Sequence, residues 1–137
     1  MTLKDIEESL PNGLHDAQVR RVEIDYEERT AKFLLLLWTG DLSSDEEGIR
    51  ERYEKGELII RNFIYCVIEP PDPTYPYAKA TTITIGAGSA TEEPIITETR
   101  LPQELPEGAF AYWFFVNEWN SFIHIAAMDA SLKLSNN

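Results

Sequence analysis

The chain predicts a mainly β, single-domain fold, either an antiparallel sandwich or a strongly curved sheet closed on itself, with one short N-terminal helix. Three observations carry this. Residues 109–128 read as two consecutive apolar strands, AFAYWFFV and SFIHIAAM, joined by the polar tip Asn117-Glu118-Trp119-Asn120. Residues 17–39 read as an earlier hairpin, in which β-branched Val19, Val22 and Ile24 precede a run holding Phe33, four leucines and Trp38. The length of 137 residues suits one hydrophobic core rather than two.

At the N-terminus, Leu3 to Leu10 forms a short amphipathic pattern, with Thr2 at the N-cap and Asp5 at the third helical position, where an acid favours a helix start. Pro11-Asn12-Gly13 ends it, so residues 1–13 make a helix and turn. After the first hairpin, Asp41 to Gly48 is an acidic loop. Ile49 to Lys55 fits a helix by composition and a strand by the alternation of Ile49, Glu51 and Tyr53, with strand preferred. Lys55-Gly56-Glu57 is expected as a tight turn into a long β-rich segment, Leu58 to Glu69. Residues 70–77 hold Pro70, Pro71, Pro73 and Pro76, which lack amide donors and restrict their predecessors, so a stiff loop follows. Thr81 to Ile85 alternates as a strand, Gly86-Ala87-Gly88 is expected to break it, and Ile95 to Thr99 offers another short strand. Leu101 to Gly108 is a loop or single helical turn, and Leu132 to Leu134 adds a last short strand beyond the terminal hairpin.

Alternation places Phe110, Tyr112 and Phe114 on one side of the terminal hairpin and Trp113 and Phe115 on the other. Both sides are apolar, which calls for cover from the rest of the chain, from a second copy in a homodimer, or from a partner docked near Trp119.

The formal charge is -12, from 24 acids and 12 bases. Such a chain repels phosphate backbones and anionic lipid surfaces, which sets nucleic-acid and peripheral membrane binding aside. The excess is spread, with 16 acids against 9 bases in residues 1–69 and 8 against 3 in the remainder. No stretch is long and apolar enough for a bilayer span, no secretory leader pattern opens the chain, and Cys66 is the only cysteine. A reducing, cytoplasmic setting is the expectation.

Few residues suggest chemistry. His15-Asp16 is the best polar pair, able to serve as base, ligand or capped turn. His124, between Ile123 and Ile125, reads as a buried structural histidine. Asp41, Ser43, Asp45 and Glu47 imitate a calcium loop, but Glu46 stands where glycine is required and Arg52 where a bidentate glutamate is required. Gly86-x-Gly88 lacks the third glycine of a dinucleotide fingerprint, with Thr91 in its place. Pro70-x-x-Pro73-x-x-Pro76 has polyproline spacing without a flanking arginine. Neither a metal nor a cofactor is expected. Trp119, at a hairpin tip, either folds back as a lid on the core or stands out as a contact anchor.

The segment Leu14-His15-Asp16-Ala17, followed by the strand Val19 to Asp25 and a strongly apolar strand, resembles the start of several small, acidic, mostly β bacterial proteins of unknown function, some of them similar to immunity proteins of contact-dependent toxin systems. The resemblance covers residues 10–38. It implies a protein that binds and blocks a toxin, without an active site of its own. The expected function is therefore a non-enzymatic interaction protein whose acidic face meets a basic protein partner, docked near Trp119, with Glu118 among the candidate binding residues. The alternative is a small-molecule binding or hydrolytic β domain with Trp119, Tyr112, Trp113 and His15 around an aromatic pocket, Asp16 being a further candidate binding residue.

Overall fold

A computed structural model describes residues 1–90, 101–102 and 104–135. Six strands, β1 (Gln18–Asp25), β2 (Thr30–Trp38), β3 (Tyr53–Ile68), β4 (Ile83–Ala90), β5 (Phe110–Val116) and β6 (Ser121–Leu134), form an antiparallel closed barrel in the order β1-β2-β3-β6-β5-β4. Of the two architectures expected, the structure adopts the sheet closed on itself. The segment expected as a strand at Ile95 to Thr99 lies outside the described residues.

The barrel closes because its strands alternate. Along β2, Ala31, Phe33, Leu35 and Leu37 are buried while Lys32 is exposed and Leu34 and Leu36 are half-buried. Tyr112, Phe114 and Val116 of β5 and Ile123, Ile125 and Ala127 of β6 join them in one core cluster, with the Phe33 and Phe114 rings edge-on at 6.3 Å. Fully burying one such side chain contributes about 1.5–3 kcal/mol, so this apolar cluster is a large stabilising term.

Helix α1 (Leu3–Ser9) adds Leu3 and Ile6 to the same cluster. It starts as expected, with a capping box in which Thr2 Oγ1 accepts from the Asp5 N–H and Asp5 accepts from the Thr2 N–H. The chain before it is fastened to β6, since the Ala130 N–H donates to the Met1 carbonyl at 2.9 Å.

Four local expectations are corrected. Lys55-Gly56-Glu57 is not a turn: β3 runs through it without interruption from Tyr53, and Gly56 is buried. A β-carbon on Gly56 would approach Leu37 Cδ1 to 2.8 Å and Leu132 Cδ1 to 3.2 Å, so glycine marks a close approach of core side chains there. The strand expected over Ile49 to Lys55 is split, with a short helix α2 (Glu47–Arg50) preceding β3. Gly86-Ala87-Gly88 does not break β4; the pairing with β5 shifts register between Ile85 and Ala87, absorbing the glycines as a bulge. Leu132 to Leu134 is the end of β6, paired to Leu58, Glu57 and Gly56, and not a separate strand.

The closure is uneven. β1 pairs with β2 from Gln18 to Asp25, but with β4 only at Gln18↔Thr84 and Val19↔Ile83. A register shift between Val19 and Arg21 accompanies the point where β1 leaves β4 behind.

Candidate functional site

The residues singled out by sequence do not converge on one pocket. Tyr112 points into the barrel, 2% exposed, and among the described residues its hydroxyl has no hydrogen-bond partner. Trp113 is on the outer wall, half-buried, edge-on to Phe122 at 5.4 Å, and Phe115 packs on the same ring at 5.3 Å. The two faces of the terminal hairpin are therefore covered differently: the inner by the core, the outer by a cluster of its own aromatic rings.

Trp119 is half-buried and packs against the core cluster. Its carbonyl accepts from the Asp72 N–H at 2.9 Å, and the Asn120 side-chain amide donates to Asp72 Oδ2 at 2.9 Å, so the proline-rich loop is tied to the hairpin tip. Asn120 supplies the left-handed residue of the tip at φ 47°. Glu118 is spent inside the fold, its carboxylate accepting from the Thr84 N–H.

His15 and Asp16 stand beside the β4 bulge. His15 Nδ1 donates to the Gly86 carbonyl at 2.8 Å, Nε2 lies 3.5 Å from Asp16 Oδ2, and the ring meets Trp38 edge-on at 6.5 Å. Asp16 has a left-handed backbone, φ 62°, and its N–H donates to the Ile85 carbonyl. The pair thus closes the turn from α1 into β1, with both side chains still partly exposed to solvent. His124, by contrast, is 4% exposed and bonded to Glu69. In the acidic loop, Asp41 Oδ1 accepts from the Ser43 hydroxyl and N–H, a local turn that holds the Asp41 carboxyl below the usual carboxylate range.

An exposed concentration of charged side chains lies elsewhere, on the β1–β2 hairpin. A groove of about 780 Å3 there is lined by Glu23, Asp25, Glu27 and Glu28, with Tyr26 and Lys32. Tyr26 is 74% exposed, its ring edge-on to Phe63 at 6.0 Å. The turn beneath is held firmly. Arg29, at φ 56°, donates from Nε and Nη2 to the Phe63 carbonyl at 3.1 and 2.8 Å, and the Phe63 N–H returns a bond to the Arg29 carbonyl. Asp25 Oδ1 accepts from the Glu28 N–H at 3.0 Å. An acidic tip on so constrained a turn is preorganised for contact, because little side-chain and loop entropy remains to be lost.

A second groove of about 510 Å3 has Leu34 and Leu36 as its floor between Arg20 and Lys55. Neither groove is lined by Tyr112, Trp113, Trp119 or His15. No protein-family model matches the chain, and no curated protein or solved structure matches it.

By sequence, Glu27-Glu28-Arg29 stands out only as the polar connection between the two halves of the 17–39 hairpin. The signal that could have flagged it was the combination of acids at alternate strand positions 23 and 25 with a tyrosine at the turn, where burial cannot be its purpose.

Proposed function

We propose that the protein is a non-enzymatic interaction module that binds a basic protein partner through the acidic β1–β2 hairpin. The observation that carries this is the groove lined by Glu23, Asp25, Glu27 and Glu28 together with the exposed Tyr26 and one base, Lys32, on a turn pinned to β3. An exposed tyrosine in a groove with four carboxylates matches a cationic surface that presents lysine or arginine, with the ring available for a cation–π contact worth about 0.5–1 kcal/mol at an exposed site. The formal charge of -12 steers such a partner from a distance, with a range of about 8 Å at physiological salt. In keeping with the N-terminal resemblance, the partner in this reading is a toxin that the module blocks.

The test compares two quadruple variants of equal charge change in affinity capture from the source organism's lysate. Glu23→Lys, Asp25→Lys, Glu27→Lys and Glu28→Lys together should abolish capture of a basic protein retained by the wild type. The same number of reversals at Asp41, Asp45, Glu46 and Glu47 should leave it intact. Equal loss in both variants would show only a diffuse charge effect and would defeat the hairpin assignment. A polymorphic toxin gene beside this one would identify the partner.

A second reading, small-molecule binding, is favoured by one observation, the leucine-floored groove between Arg20 and Lys55. Its chemistry suits an apolar ligand with an anionic end, and titration with such a ligand would shift the methyl resonances of Leu34 and Leu36.

A further inference from the structure

Among the described residues, part of one barrel strand has no neighbour on one side. β1 continues to Asp25, yet on its β4 side the ladder stops at Val19↔Ile83, and among the described residues no strand pairs with Arg20 to Asp25 on that side. The chain before Ile83 turns away instead, through the 3-10 segment Tyr77–Lys79. Val22 and Ile24, whose partners across the β1–β2 ladder are the buried Phe33 and Ala31, pack on the core but remain only half-buried. An uncovered edge offers a row of backbone donors and acceptors to any extended chain that can lie against it.

We infer that this edge of β1 accepts an extended segment of the basic partner as an added antiparallel strand, in line with β4. The inference rests on the proposed function and specifies how the partner binds. The charge pattern along the edge selects the occupant. Glu23 and Asp25 share the outward face, while Val22 and Ile24 alternate with them toward the core. In an antiparallel ladder, directly opposed side chains lie on the same face about 4.5–5.5 Å apart. A matching strand therefore carries cations opposite Asp25 and Glu23, apolar residues opposite Ile24 and Val22, and an acid or neutral residue opposite Arg21. Backbone pairing supplies affinity in such a mode and the alternate side chains supply register. Arg21, ion-paired to Glu23 at 2.6 Å, marks the end at which the cationic pattern must stop.

Polarity makes the idea specific. Read from its N-terminus, the added strand is Lys-Val-Lys-Val-Glu, and the reversed order Glu-Val-Lys-Val-Lys places its acid beside Asp25. Titration of the labelled protein with the end-blocked forms of both peptides, followed by amide resonances and hydrogen exchange, should show the first binding at least about tenfold more tightly than the second. It should also slow exchange at alternate amides within Arg20 to Asp25. Two further versions of the first peptide, each N-methylated on one of the two alternating sets of residues, separate backbone from side-chain recognition. The set that faces the edge should lose binding, and the set that faces away should retain it. Glu23→Lys with Asp25→Lys should weaken the unmethylated peptide by at least about tenfold.

If both methylated versions bind equally well and remain sensitive to Glu23→Lys with Asp25→Lys, the acidic hairpin binds cations without strand addition. That result overturns this inference and leaves the proposed function standing. If no peptide binds at millimolar concentration and lysate capture by the wild type is also indifferent to the hairpin reversals, both fall.

Discussion

His124 of β6 is joined to Glu69, the residue just past β3, in the barrel wall. His124 Nε2 donates to Glu69 Oε2 at 3.0 Å, while the other carboxylate oxygen, Oε1, accepts from the Phe122 N–H at 2.7 Å. The Glu69 N–H in turn donates to the Phe122 carbonyl at 3.0 Å, so one residue just past β3 completes the ladder at the start of β6 twice over. Removing the imidazole leaves a largely enclosed carboxylate short of a donor. His124→Ala is expected to cost about 2–3 kcal/mol of stability, measured as a lowered urea midpoint with unchanged slope. His124→Gln, which keeps a donor, should recover part of that loss. A midpoint within experimental error of wild type for His124→Ala would show the bond to be incidental.

Trp119 is expected to act on stability first. Its ring packs against the core and its backbone anchors Asp72 of the proline-rich loop. Trp119→Ala should lower the unfolding free energy by about 2 kcal/mol, somewhat less than a fully buried aromatic because the ring is half-exposed. Thermal unfolding monitored by near-ultraviolet dichroism gives the readout. An unchanged midpoint would mean that the ring serves the surface instead.

Glu7 provides a pH signature. Burial pushes its carboxyl above the ordinary glutamate value of 4.5, against a lowering bond from the Leu14 backbone. A raised acid binds its proton more tightly folded than unfolded, so its ionisation weakens the fold as pH rises through the folded value. That penalty is present at neutral pH and vanishes below the unfolded value. Glu7→Gln, which keeps an acceptor for Leu14, should therefore raise the thermal midpoint at pH 7, and the gain should shrink to nothing below about pH 4. A midpoint lowered at pH 7 would contradict the sign.

Cys66 should be slow to react. Burial raises its thiol from 9.0 to about 11, so the thiolate fraction near neutral pH falls about a hundredfold relative to an ordinary cysteine. Alkylation by iodoacetamide should lag the unfolded chain by at least that factor, and its rate should keep rising with pH beyond 9 for as long as the fold persists. A rate matching the unfolded chain would reveal frequent opening of the barrel wall.

Much of this architecture was legible because period-2 alternation with β-branched and aromatic residues is a local property. Alternation groups Phe110, Tyr112 and Phe114 on one face and Trp113 and Phe115 on the other without knowledge of the partner strand, but with both faces apolar it does not say which of them turns inward. The capping box of Thr2 and Asp5 is equally local. Gly56 and Gly86 misled because a glycine can mean a turn, a close approach or a bulge, and only distant residues such as Leu37, Leu132 and Asn117 decide among them. The candidate site was less legible still. His15, Trp113 and Tyr112 drew notice by residue type, yet their directions depend on the barrel's pairing, whereas the hairpin acids look like ordinary solvated charges until Arg29 is seen locking the turn to Phe63.

The strand order also dictates a timetable. β1, β2 and β3 pair in the order of synthesis, but the remaining edge of β3 finds its neighbour only in β6, the last strand to emerge. Until then the growing chain holds a meander whose outer strand, the sixteen residues Tyr53 to Ile68, has one edge unpaired and is strongly apolar from Phe63 onward. Such an edge is the part of a nascent protein most prone to pair with its neighbours on the same message. Barrel closure is thus deferred to the moment β6 is free, and a pause in translation anywhere between β3 and β6 prolongs the interval in which the half-built sheet is adhesive.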